Sequence, residues 1–194
     1  MRLLVATTNQ NKVREIRQLL AGLPLQLLTL EQWPDLTAPD ETGSTFEENA
    51  RIKASYYAGA TGELTVAEDS GLEIDALAGA PGVESARFGG AGSTYPEKFA
   101  LIYDRLDAVG RRDSPARFVC ALVLATPQET RFEHRGTIEG CIAPEPRGEG
   151  GFGYDPIFFY PPFNQTLAEA GDRKASVSHR GEAFRALKAF LESR

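Results

Sequence analysis

The sequence predicts an α/β fold built on a mixed sheet. Strand and helix patterns alternate through the first third of the chain, and two long apolar strand patterns follow each other near residues 116–143. The last segment is an amphipathic helix pattern. Alternation alone would give a purely doubly wound sheet, whereas the paired late strands bring antiparallel neighbours into it.

The elements follow in order. Leu3 to Ala6 is a short apolar run, read as a buried strand. Lys12 to Ala21 carries Val13, Ile16, Leu19 and Leu20 at helical spacing, and Gly22 and Pro24 supply the stop. Leu25 to Leu30 predicts a second strand. In the loop that follows, Ser44 and Glu47 fit an S-x-x-E capping box, opening a helix through Phe46, Ala50, Ala54 and Tyr57. Leu64 to Ala67 predicts a strand ending at Glu68-Asp69-Ser70-Gly71. ALAGAPGVESARFGGAGS reads as irregular, and Glu97 to Val109 returns to helical periodicity. ARFVCALVLA and TRFEHRGTIEGCIA predict two strands joined around Pro127-Gln128-Glu129. A loop rich in proline and glycine leads to GGFGYDPIFFY, and a helix presenting Phe184, Leu187, Phe190 and Leu191 closes the chain.

With 194 residues, 42% hydrophobic and 25% charged, the chain has material for one soluble domain of ordinary size. A net charge of −6 excludes a non-specific grip on nucleic acid, while leaving room for a local cationic pocket. Cys120 and Cys141, the two cysteines, form neither a disulfide framework nor a zinc pattern. Cys120 reads as a small buried hydrophobe. MRLLVATT shows no signal-peptide pattern and no run reaches membrane-span length, so the cytoplasm is the expected location and no membrane partner is expected.

Four constellations carry chemistry. TTNQNK, from Thr7 to Lys12, lies between a strand and a helix without glycine or proline. Thr7, Thr8, Asn9, Gln10 and Asn11 offer hydroxyls and amides, and Lys12 a cation, where helix N–H groups favour phosphate. Asn9 can equally serve as the helix cap. Glu68 and Asp69 are adjacent acids that a hard divalent cation or solvent must relieve, with Glu41 as a third acid. Their position at the end of a strand is where open α/β sheets place ligands. Phe152, Gly153, Tyr154 and Asp155 form FGYD, an aromatic face able to stack on a base with an acceptor for a ring N–H. Lys174, His179 and Arg180 gather three cationic groups before the last helix. Lys53 and Arg87 either extend a cationic wall or are surface charges, and His134, inside a strand, reads as structural.

Six segments in this order resemble the inosine triphosphate pyrophosphatase family: TTNQNK, ETGSTFEENARIKA, AEDSGLEIDAL, GAPGVESARF, GFGYDPIF and SVSHRGEAFRAL. The likeness covers nearly the whole chain as a single domain, residues 1–194. It implies an elongated mixed sheet with flanking helices, two lobes around a substrate cleft, and a homodimer. It also implies Mg²⁺-dependent hydrolysis of ITP, dITP or XTP to the monophosphate and pyrophosphate. By resemblance, Thr7 to Lys12 bind the triphosphate, Glu41, Glu68 and Asp69 hold the metal, and Asp69 is the general base. Ser70, Lys53, Phe152 to Asp155, Lys174, His179 and Arg180 then contact the substrate. Many relatives have glycine where Thr8 stands and two aspartates where Glu68 and Asp69 stand. Alternatives within the same residues are a pyrophosphatase for a modified pyrimidine nucleotide and a non-catalytic nucleotide sensor.

Overall fold

A computed structural model describes residues 1–193. Seven strands form one sheet in the order β2-β1-β3-β4-β5-β6-β7. They are β1 (Arg2–Val5), β2 (Gln26–Thr29), β3 (Thr65–Ile74), β4 (Pro115–Ala125), β5 (Thr130–Ile142), β6 (Phe158–Tyr160) and β7 (Gln165–Thr166). The helices are α1 (Gln10–Leu19), α2 (Phe46–Thr61), α3 (Tyr95–Ala108), α4 (Lys174–Val177) and α5 (His179–Glu192). β1 runs parallel to both β2 and β3, while β6 runs antiparallel to β5 and β7. The mixed α/β sheet expected from the sequence is therefore present.

The chain divides into two compact units. The first comprises residues 1–69, 120–136 and, among the described residues, 180–193; the second comprises 70–119 and 137–179. In the first, Leu3, Val5, Ile16, Leu122, Phe184 and Leu187 share one apolar core. In the second, Leu72, Ile74, Ile102, Phe118, Ile157 and Phe158 share another.

Two local expectations are corrected. The first concerns β3, which does not stop at Ala67 but runs on through Glu68, Asp69, Ser70 and Gly71 to Ile74. Gly71 breaks no strand here. A Cβ on it would lie 2.2 Å from Ser85 Oγ and 2.8 Å from the Gly82 carbonyl oxygen, so glycine is what lets that turn close onto the strand. Ser85 Oγ then accepts the Leu72 N–H at 3.0 Å. The acids thus lie mid-strand rather than at a strand end.

The second correction is a shift of one residue in the cap of α2. Thr45, not Ser44, is the N-cap: its side chain accepts the Glu48 N–H at 3.2 Å, and Glu48 accepts the Thr45 N–H. Both registers satisfy the sequence rule, but this one opens the helix on the buried Phe46 and leaves Glu47 to pair with Arg135 at 2.7 Å. GGFGYDPIFFY and the residues after it, to which the sequence pattern assigns no element, carry short ones. Asp155–Ile157 form a short 3-10 turn and β6 and β7 add two strands, too short to leave a periodic pattern.

Candidate functional site

β3 places two adjacent acids on opposite faces of the sheet, because side chains alternate along a strand. Their surroundings differ accordingly. Glu68 is 4% exposed and faces cations from both ends of the first unit. Its Oε1 accepts from Lys12 at 2.9 Å and from Arg180 Nε and Nη2 at 3.2 and 3.1 Å. Its Oε2 accepts from the Cys120 thiol at 3.3 Å. Arg180 is itself buried and turns Nη1 to Glu15 Oε2 at 2.7 Å. Burial works against ionisation of Glu68, but the charges of Arg180, Lys12 and Lys53 outweigh it and hold the carboxyl well below its usual range. Burial and the Glu68 charge push the Cys120 thiol far up, so it stays protonated as a donor.

Asp69 sits among fewer charges. Lys53, on α2, donates to Asp69 Oδ1 at 2.9 Å and to Glu41 Oε2 at 3.0 Å. Asn49, one helical turn before Lys53, directs Nδ2 to Asp69 Oδ2 at 3.4 Å. Here burial prevails over Lys53, and the Asp69 pKa is raised. One carboxylate is thus held in its ionised form by two cations, while burial raises the proton affinity of its neighbour.

Of the two roles foreseen for the opening loop, the structure shows the cap. Asn9 is the cap of α1: its Oδ1 accepts the Asn11 and Lys12 amides at 3.0 and 3.3 Å, and Thr7 Oγ1 accepts the Asn9 amide at 3.2 Å. Those amides are thereby given to the cap instead of an anion. Thr8, Asn9, Gln10 and Asn11 nevertheless stay exposed, and Gln10 donates to Glu31 at 3.1 Å.

The three acids Glu41, Glu68 and Asp69 do not form one cluster. Among the described residues, no group of three His, Cys, Asp or Glu side chains has the arrangement of a metal centre. Glu41 and Asp69 nevertheless converge on a single cation, the Lys53 ammonium, within 3.0 Å each. Two hard carboxylate oxygens around one point are a donor set that suits Mg²⁺, which takes few protein ligands and completes its shell with water and phosphate. Glu68 has its two oxygens committed to Lys12, Arg180 and Cys120, so it fits that ion less well.

The second unit holds the other constellation. Asp155 is 2% exposed, and its Oδ2 accepts from Lys174 at 2.7 Å and from the Phe152 N–H at 2.8 Å. A Cβ at Gly151 would come within 2.1 Å of that oxygen, and its φ of 72° is a glycine conformation. The Lys174 ammonium lies 4.7 Å from the centre of the Phe152 ring. Tyr154 is buried and donates to the Ser85 carbonyl at 2.7 Å. His179 stacks on Phe118, with centroids 4.9 Å apart.

Two sequence expectations change in consequence. Asp155, expected to accept from a ring N–H, is occupied by Lys174 and the Phe152 amide, because a buried carboxylate needs a cation. Lys174, His179 and Arg180, expected as one cationic group, are divided: Lys174 joins Asp155 and Arg180 joins Glu68. Phe152 and Gly153 remain half-exposed, as does Ser70 on β3. Arg87 reaches Glu84 at 3.3 Å on the surface of the second unit. His134 is half-buried against Phe132, as a structural histidine would be.

Sequence reasoning missed Asn49, Glu15 and the role of Cys120. Asn49 did leave a signal, a buried amide on the helix face that carries Phe46, Ala50 and Tyr57. Glu15 and Cys120 left none, since neither helix-face nor strand spacing says which residue meets Arg180 or Glu68.

The Ham1 family model matches residues 3–190. The dITP/XTP pyrophosphatase of Exiguobacterium sp. is 49% identical over 190 residues, which is 97% of this chain and 96% of that protein. That of Thermus thermophilus is 48% identical over 188 residues, covering 96% of this chain and 90% of its own length. Among solved structures, a HAM1 protein from Coxiella burnetii superposes with a TM-score of 0.94 at 38% identity, with both chains fully covered. The Staphylococcus aureus Ham1 protein superposes at 0.89 and 37% identity, over 100% of this chain and 99% of that one.

Proposed function

Because this chain belongs to the Ham1 family, we propose that it hydrolyses non-standard purine nucleoside triphosphates, dITP, XTP and ITP, to the monophosphate and pyrophosphate. The observation that carries the mechanism is the opposite treatment of two neighbouring acids, Glu68 fully neutralised and Asp69 raised in proton affinity.

Water attacks the α-phosphorus, the bond to the bridging oxygen breaks, and pyrophosphate leaves with the bonding pair. Asp69 accepts the proton that the attacking water gives up. Thr7 to Lys12 receive the triphosphate, where exposed hydroxyls and amides supply donors and Lys12 supplies charge. Glu68 and Arg180 hold Lys12 and the strand in place. Phosphoryl-type transfer depends on such positioning and electrostatics more than on covalent chemistry. Glu41 and Asp69 would hold Mg²⁺, which when bound neutralises phosphate oxygens and favours ionisation of the attacking water.

Phe152, Gly153, Lys174 and His179 supply the base-facing groups in this proposal, with cationic and N–H donors matched to a keto oxygen at C6. Adenine presents an amino donor there and is disfavoured donor to donor. Asp155 acts on this side by fixing Lys174 and the Phe152 backbone. Arg180 acts through Glu68. We further infer a homodimer in the cytoplasm that binds neither nucleic acid nor membrane; no helix among the described residues is long and apolar enough to cross one.

The test is a panel of dITP, XTP, ITP, dGTP, ATP and a modified pyrimidine triphosphate, assayed for pyrophosphate with Mg²⁺ and with EDTA. Release is expected from the first three, and only with Mg²⁺. Equal turnover of ATP, or monophosphate without pyrophosphate, would overturn the proposal.

A further inference from the structure

One buried amide touches the proposed base and also ties down the loop that carries Glu41. Asn49 is 1% exposed on α2. Its Oδ1 accepts the Gly43 N–H at 2.8 Å, and its Nδ2 points to Asp69 Oδ2 at 3.4 Å. The loop is packed down on it: a Cβ at Gly43 would stand 2.7 Å from Asn49 Oδ1 and 2.6 Å from Glu48 Cβ. Two residues before Gly43, Glu41 reaches the same Lys53 that holds Asp69 Oδ1. Asp69 is therefore gripped at both oxygens from one edge of α2, by Lys53 and by Asn49, four residues apart and on the same helix face.

We infer that Asn49 is a positioning residue for the proposed hydrolysis. Its two ends fix the Asp69 carboxylate and the Glu41 loop in one geometry. An amide suits this place, because Asn carries an acceptor oxygen and an NH₂ donor side by side on one short planar group. Leucine or alanine would fill the helix face but leave both the Gly43 N–H and Asp69 Oδ2 without this partner. A side chain that only packed would need neither end. Proper placement within a fraction of an ångström governs rate more than binding, so the loss should fall on kcat.

This inference rests on the proposed activity, and its test separates the two. Wild type, Asn49→Asp and Asn49→Ala are compared in steady-state dITP hydrolysis, thermal melting and amide hydrogen exchange at Gly43. Asn49→Asp keeps the acceptor for Gly43 but removes the donor to Asp69. It should keep Gly43 protected while kcat falls at least tenfold and KM stays within threefold. Asn49→Ala should lose both kcat and the Gly43 protection. If Asn49→Asp does not fold, Asn49→Ala alone decides by the same kcat and KM split. A kcat within twofold of wild type in the folded variant, or Gly43 exchange unchanged in Asn49→Ala, overturns the inference. Failure of wild type to hydrolyse dITP would instead overturn the proposed function, and the exchange data would still judge the tie to the loop.

Discussion

Glu68 and Asp69 are consecutive residues on one strand, yet the protein treats them in opposite ways. Glu68 meets two cations and a thiol where its own side chain is buried, and its pKa is driven down despite that burial. Asp69 meets one ammonium, already shared with Glu41, and its pKa rises. Burial is common to both, so the number of neutralising charges decides the sign. A carboxylate overpaid in positive charge can anchor but cannot take a proton. One left short of it can serve as a base.

The largest way to break this comparison is Asp69→Asn. Loss of a general base costs about 10²–10⁴-fold in rate, and turnover of dITP should fall by that much. Stability should hold or rise slightly. The folded Asp69 pKa is raised, so its ionisation between the unfolded and folded pKa values opposes folding, and an amide removes that cost. Lys53 keeps Glu41 as a partner. Pyrophosphate release and thermal melting at neutral pH check both halves.

Glu68→Gln should act on the fold instead. It removes the carboxylate shared by Lys12 and Arg180 and leaves a buried guanidinium with Glu15. Breaking a buried pair from one side costs about 3–5 kcal/mol, to be read by denaturant unfolding. The pH dependence has a definite sign. Because the folded pKa of Glu68 is depressed, its contribution is full above the unfolded glutamate pKa and is lost as pH falls through the folded value. Wild type should lose stability across that acid window, and Glu68→Gln should lose much less there. Parallel acid-unfolding curves would show that the two acids are not as different as the geometry says.

The residues of this site, though not their partners, could be foreseen from the sequence. The acids, Lys12, Lys53 and Glu41 each stood in a segment whose chemistry pointed to phosphate and metal, and the elements around them came out within a few residues. What the sequence left hidden was partnership. Arg180 is more than 100 positions from Glu68, and no local pattern says that a cation near the last helix will neutralise an acid on β3. Asp155 and Lys174 are the same case. Ser70-Gly71 misled for a different reason: glycine after a strand pattern reads as a stop, whereas here it is a point of close approach to the Gly82–Ser85 turn. The cap of α2 slipped by one residue because Ser44 and Thr45 both have an acid three positions on.

Gly71→Ala tests how far the comparison depends on strand register. A Cβ there collides with Ser85 Oγ and the Gly82 backbone, and overpacking of this kind costs about 1–3 kcal/mol. Since a strand's faces are fixed by its register, any shift of β3 would also redirect the two acids. Denaturant unfolding should show that loss, with dITP turnover reduced by less than in Asp69→Asn. An unstrained variant of full stability would mean that the turn yields easily and the register is held elsewhere.

The smallest effect is expected from Cys120→Ala. The thiol gives Glu68 one weak bond, while Lys12 and Arg180 together give it three shorter ones with full charges. Losing a single hydrogen bond costs about 1 kcal/mol, and turnover should stay within twofold. The thiol, pushed far up in pKa and fully buried, should also resist thiol reagents until the protein unfolds. A tenfold fall in kcat for Cys120→Ala would mean that Glu68 is steered by the thiol and not by its cations. The contrast between the two acids would then rest on hydrogen-bond direction as well as on charge.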